Sequence, residues 1–128
     1  MVSTSKVYAF KINPYYNVIT NDTICLGEIS FSSLSEAFIK ALRMYNKNAR
    51  RHISGPMFKY KGKVFGCVDV GYPSKTGRGF TQYWTLCVYE KKMMWPPITW
   101  DCKFAEQYLI TIPKSKINSK DAIRWVEK

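Results

Sequence analysis

Asp69 and the run Glu90-Lys91-Lys92 stand in an order familiar from metal-dependent nucleases, an Asp on one strand and Glu-x-Lys on the next. Glu36, on an expected helix, would complete the acid set that such chemistry needs to hold a divalent cation. The spacing argues against a shared ion. If residues 64–70 and 81–90 pair as a hairpin around the 71–80 loop, Asp69 falls opposite about Tyr83. Glu90 then lies seven residues further on, ~23 Å away at ~3.3 Å per residue. Small metal-dependent nuclease chemistry through Asp69, Glu90 and Lys92 is therefore the least favoured reading.

His52 is the one histidine, and it follows Arg50 and Arg51 directly. An imidazole beside two guanidinium groups suits binding or cleaving a phosphodiester, but no second histidine is present to act as the opposite acid. A solvated or phosphate-contacting histidine after a helix is the simpler assignment. The loop Ser74-Lys75-Thr76-Gly77-Arg78-Gly79 has the glycine content of a phosphate loop. It lacks G-x-x-x-x-G-K-S/T and joins two strands, where a nucleotide loop would enter a helix. It reads as a glycine-punctuated hairpin loop carrying basic residues. With no nucleophile elbow and no dinucleotide fingerprint either, no catalytic residue is assigned and the chain reads as a non-enzyme.

The cysteines, at 25, 67, 87 and 102, form no C-x-x-C pair, so neither a metal nor a cofactor is expected. Cys67 and Cys87 could face one another across a hairpin, although four free thiols in a reducing cytoplasm is the default. The opening residues MVSTSKVYAFKI lack the apolar core of a signal peptide. No apolar run approaches the ~20 residues that span a bilayer, so no membrane partner is expected.

The charge carries the most information. The 128 residues hold 20 Lys and Arg against 9 Asp and Glu, a net charge of +11. Between Ala37 and Tyr89 there are ten bases and one acid, Asp69, so that segment alone carries +9. The bases are Lys40, Arg43, Lys47, Arg50, Arg51, Lys59, Lys61, Lys63, Lys75 and Arg78. Solubility is served by both signs, so a stretch this one-sided points to a polyanion. Phe58, Tyr60, Tyr83 and Tyr89 are interleaved with the bases and are candidates for stacking on exposed bases.

These residues need elements to place them. Residues 6–12 and 24–31 read as strands. Ser33-Leu34-Ser35-Glu36 fits a capping box, with Ser33 and Glu36 serving each other's free backbone donors. Leu34, Phe38, Ala41, Leu42 and Tyr45 follow at helical spacing, so the helix runs over about 33–47. Lys40, Arg43 and Lys47 form the adjacent ridge. Strands follow at 57–61 and 64–70 around a tight Lys61-Gly62-Lys63 turn, then at 81–90. Trp95 to Trp100, with Pro96 and Pro97, is expected to be irregular. A strand at 104–112 and a short helix over about 119–127, capped by Ser119, complete the chain.

The expected fold is a single α+β domain over 1–128: a mainly antiparallel sheet of five to six strands with one amphipathic helix on one face. The helix–strand–strand–strand–helix order from Ser33 onward resembles a double-stranded-RNA-binding domain in topology. The terminal helix lacks that family's lysine cluster and an extra strand intervenes, so no family is assigned. The leading expectation is a non-enzymatic nucleic-acid-binding protein that makes phosphate contacts with DNA or RNA through a basic helix-and-hairpin surface. The alternative is a small phage- or mobile-element-type inhibitor or regulator docking on an acidic protein surface or in the nucleic-acid cleft of a host enzyme. Its basis is a lysine-, asparagine- and isoleucine-rich composition, as an AT-rich genome produces.

Overall fold

The computed structural model describes residues 2–13, 15–16, 18–48, 53–74, 76–92, 99–104 and 110–126. The chain opens with the long hairpin β1 (Ser3–Asn13) and β2 (Val18–Phe31), followed by helix α1 (Leu34–Asn48). Strands β3 (Ile53–Tyr60), β4 (Lys63–Pro73) and β5 (Phe80–Lys92) form an antiparallel meander. Then come β6 (Thr99–Phe104), β7 (Thr111–Pro113), a 3-10 turn at Lys114–Lys116 and helix α2 (Ala122–Val126). The sheet order is β2-β1-β3-β4-β5-β6, antiparallel at every pairing, with β7 also on β5. This is the α+β architecture that the periodicities imply.

Helix α1 starts where its capping signal places it. The Ser33 hydroxyl accepts the Glu36 N–H at 3.2 Å. The return bond differs from the expected box, because the Glu36 carboxylate takes the N–H and hydroxyl of Ser32, one residue earlier. The Lys40 ammonium, 2.8 Å from that carboxylate, and then the Ser32 hydroxyl hold Glu36 below its ordinary value of 4.5. A carboxyl depressed in the folded state stabilises above its unfolded pKa, and that contribution disappears as pH falls through the lower folded value. Thermal melts of wild type and Glu36→Gln are therefore expected to differ by no more than about 1 kcal/mol at pH 6 and to converge as pH falls through and below the ordinary carboxylate range. A gap constant from pH 6 to pH 3 would show that the carboxylate charge contributes nothing.

The apolar stripe of α1 does what its spacing implies. Ala37, Phe38, Ala41 and Leu42 are fully buried against Val7, Phe58, Phe65, Cys67, Trp84 and Leu86 of the sheet. Ile112, Ile117 and Ala122 join the same core, so the C-terminal segment packs on the helix-bearing face too. Among the described residues no helix covers the other face of the sheet, called here the open face. Among the described residues no helix is long and apolar enough to cross a membrane.

Several expectations are corrected. The single strand at 104–112 is two pieces, β6 and β7, which share one edge of β5 by pairing with 87–92 and 83–85 respectively. Thr99 and Trp100 belong to β6, because the restriction imposed by Pro96 and Pro97 ends at the prolines themselves. The terminal helix starts at Ala122; Ser119 and Asp121 form a turn ahead of it, in which the Ala122 N–H bonds the Ser119 carbonyl at 3.2 Å. Strand β3 begins at Ile53, ahead of the expected 57, by pairing with β1 before its ladder to β4 begins at Met57. Cys67 lies opposite Leu86 and Cys87 opposite Gly66, so the two cysteines point to opposite faces. Cys87 is disulfide-bonded, while Cys67 is a free buried thiol that burial pushes well up, which corrects the expectation of four free thiols.

Candidate nucleic-acid interface

Three of the ten nominated bases lie within five residues of the β3–β4 hairpin. Tyr60 pairs with Lys63, and the connection is the two-residue turn Lys61-Gly62 with φ of 48° and 79°. Positive φ at both central positions is the twist-matched hairpin geometry, normally filled by Asn-Gly, Asp-Gly or Gly-Gly. Lys61 is the one non-glycine residue with positive φ among those described, so a lysine is held here against its backbone preference. Its ammonium stands 5.4 Å from the centre of the Tyr60 ring.

Alternation distributes the neighbouring charges. Phe58 points into the core, so Lys59 points to the open face. Val7 pairs with Phe58, which sets Lys6 of β1 beside Lys59 on that same face. The Lys59 N–H also bonds the Ser5 hydroxyl, tying the two strands there. Lys6, Lys59, Lys61 and Lys63 are all exposed, and none makes an ion pair among the described residues. Glu28, in register with Lys6 on β2, is the acid on that flank.

No family model, curated protein or solved structure matches this chain. Its chemistry has to be read from its own side chains.

The other described bases stand on α1 and in the β4–β5 loop. Lys40 is committed to Glu36 and to the Ser30 carbonyl. Arg43 stands on α1 with Nε donating to the Ile117 carbonyl at 2.9 Å and Nη2 to the Ser119 carbonyl at 3.0 Å. It therefore fastens the C-terminal segment to the helix. Lys47, exposed and without an ion pair among the described residues, borders a groove of about 580 Å³ between α1 and β2, which Lys40 and Arg43 also line. Arg78 is exposed in the β4–β5 loop, at the far end of β4 from Lys63. Eleven residues of strand separate those ends by roughly 35 Å. Arg50, Arg51, His52 and Lys75 lie outside the described residues. Among the described residues, the bases of the +9 segment thus include a lysine-tipped hairpin, a fastening arginine and the exposed Lys47 and Arg78.

Asp69 and Glu90 are far apart along the sheet. Asp69 lies opposite Trp84, one residue from the expected Tyr83. Glu90 pairs with Asp101 on β6 and is six residues beyond Trp84, about 20 Å along β5. Among the described residues no three Asp, Glu, His or Cys come together. Asp69 instead meets the Lys114 ammonium at 2.5 Å, and that ammonium also stands 4.8 Å from the Trp84 ring centre. Tyr45 meets Trp84 edge-on at 5.5 Å, and burial, then the Asp69 carboxylate, push its phenol above the ordinary value. This cluster fastens the 3-10 turn to the sheet. It also takes up the single acid of the basic segment by pairing it with a lysine from outside that segment.

The aromatic nominations divide. Phe58 is 1 % exposed and stacks on Phe65 with ring centres 6.0 Å apart, so its face is occupied by the core. Tyr60 is half-buried between Phe31 and Phe65. Tyr83 is half-buried on the open face, and the Tyr89 side chain is outside the described set. Tyr15, Tyr16 and Phe80 went unnominated although they are 89, 77 and 67 % exposed. The available signal was position: Tyr15-Tyr16 follows Pro14 in a turn, and Phe80 follows a glycine-rich loop, where no core can receive them.

A small apolar pocket of about 100 Å³ opens on the far side of the hairpin from α1. Tyr8, Phe10, Thr23, Met57, Lys59 and Val64 line it, with the core residue Phe58.

Proposed function

We propose that the protein is a nucleic-acid-binding module whose principal phosphate contacts are Lys59, Lys61 and Lys63 of the β3–β4 hairpin, with Lys6 beside them. The observation that carries this reading is Lys61. An L-residue forced to φ 48° costs on the order of 1 kcal/mol, and Asn or Gly would relieve most of that. A lysine at the tip offers in exchange a cation projecting from the most prominent point of the hairpin, where a phosphate backbone can reach it. Lys59 on the open face, Lys61 in the rigid two-residue turn and Lys63, which pairs with Tyr60 and so leaves from the helix-bearing side, surround one hairpin tip with positive charge, which steers a polyanion and releases its counterions. Phosphate contacts of this kind position a nucleic acid without reading its sequence.

Fluorescence anisotropy of the full chain with labelled single- and double-stranded DNA and RNA, between 50 and 300 mM salt, tests the proposal. The Lys59→Gln/Lys61→Gln/Lys63→Gln variant is expected to bind at least tenfold more weakly at 100 mM salt. The slope of log K against log salt should shrink by about 2–3. Lys61→Asn alone should raise Tm by a few degrees, because it relieves about 0.5–1 kcal/mol of backbone strain, while it weakens binding. Absence of binding to all four nucleic acids at 50 mM salt refutes the proposal and leaves an acidic protein surface as the partner of the same lysines.

A further inference from the structure

The pocket on the open face lies against the lysine hairpin, and the two differ in chemistry. Tyr8 and Phe10 on β1, Thr23 on β2, Met57 and Lys59 on β3 and Val64 on β4 line it, together with the core residue Phe58. Strand alternation explains why they meet. Tyr8 pairs with Met57, Phe10 with Thr23, and Lys59 with Val64, so all six residues project from the open face. Its walls are apolar and offer nothing to a phosphate, although Thr23 and Lys59 are both exposed residues that line it. Its volume of about 100 Å³ matches one flat aromatic ring and is far below the several hundred Å³ of a typical cofactor site.

We infer that this pocket receives one unpaired nucleobase, and that the module therefore takes single-stranded in preference to double-stranded nucleic acid. The inference rests on the phosphate-binding reading of the hairpin. A base inside a duplex is stacked above and below and cannot enter a depression in a sheet. A base in a single strand turns out at little cost and gains an apolar, partly aromatic contact on Tyr8 and Met57. Lys59 lines the pocket and Lys6 is its neighbour across β1 and β3, both exposed on the same face, so two flexible ammonium groups are within reach of the phosphates flanking an inserted base. Charge complementarity thus selects the occupant: an apolar plug with an anionic group on either side. On this face Glu28 at the β2 edge is the acid near the site, and it already faces Lys6 in register.

Thr23→Trp is the decisive variant. Thr23 is exposed on the edge strand, so an indole there fills the pocket without removing a charge or a core side chain. The full-length protein is titrated against a 12-nucleotide single strand with one central 2-aminopurine and against the matching duplex, at fixed salt. The wild type is expected to prefer the single strand at least tenfold and to change the 2-aminopurine emission. Thr23→Trp should lose about 5- to 50-fold in single-strand affinity, abolish the emission change, and keep duplex affinity and salt slope. Equal or tighter duplex binding by the wild type, or a Thr23→Trp variant that binds the single strand as well as wild type, overturns the inference while the phosphate-binding reading stands. Failure to bind either form overturns both. Val64→Ala, which enlarges the pocket, provides the second reading: it should alter the emission change while leaving the salt slope untouched.

Discussion

Gly55→Ala is expected to lower Tm by about 10 °C, the largest effect of any single methyl group added to this protein. A Cβ built on Gly55 would lie 2.4 Å from the Cys67 carbonyl oxygen and 3.2 Å from the Trp84 ring. The first of these atoms belongs to the backbone of β4, which cannot rotate aside as a side chain does. The ladder between β3 and β4 begins only at Met57, so at Gly55 the strands approach without the regular spacing that would leave room for a side chain. Overpacking of this kind costs about 1–3 kcal/mol, and the upper end applies where backbone must shift. For a chain of 128 residues each kcal/mol is worth roughly 3–5 °C. Urea and thermal melts measure the loss directly. A variant within 2 °C of wild type would mean that β3 can move away from Cys67 at no cost. Residual folded protein should bind nucleic acid normally below its Tm, because Lys59, Lys61 and Lys63 lie beyond the disturbed position on the same hairpin.

Arg43→Met is expected to lower Tm by about 5–8 °C while changing the salt slope of nucleic-acid binding by less than one unit. Both guanidinium bonds go to neutral carbonyls, those of Ile117 and Ser119, and Ile117 is fully buried. Hydrogen bonds from a charged donor contribute about 1.5–3 kcal/mol, reduced here because the side chain is partly in water. Removing them frees the segment that carries Ile117 and Ala122 into the core. Arg43→Lys tests the geometry, since an ammonium keeps the charge but cannot span two acceptors in a fixed fork; most of the stability loss should persist. A slope reduced by one unit or more, with Tm unchanged, would instead make Arg43 a phosphate contact of the helix ridge. Comparison with the hairpin triple variant, which should show the opposite pattern, separates a fastening cation from a binding one.

Local chemistry was legible wherever it is written within a few residues. The capping serine, Ser33, and the stripe from Leu34 to Tyr45 define α1 almost to its boundaries, because a helix satisfies its own backbone within four residues and needs no distant partner. Lys61-Gly62 marks a tight turn on composition alone, and the alternation of Phe58, Lys59 and Tyr60 correctly separates core from exposed face. The separation of Asp69 from Glu90 also follows from counting along paired strands, with an error of one residue in the register.

Tertiary structure alone decided what each charge is for. Arg43 and Lys47 are both basic and share one ridge in sequence, yet one bonds carbonyls 74 and 76 residues away and the other makes no ion pair among the described residues. Asp69 finds Lys114 across 45 residues, and nothing near either residue announces the pair. The same holds for the pocket, whose walls come from four strands and exist only after the sheet order is set. Periodicity and capping depend on neighbours along the chain, whereas ion pairs and pockets depend on neighbours in space. A long basic side chain carries no local record of which acceptor it will meet until the backbone brings one within reach. The sequence therefore determined that the protein is a basic α+β sheet with one amphipathic helix, and the fold determined which of its cations are left exposed.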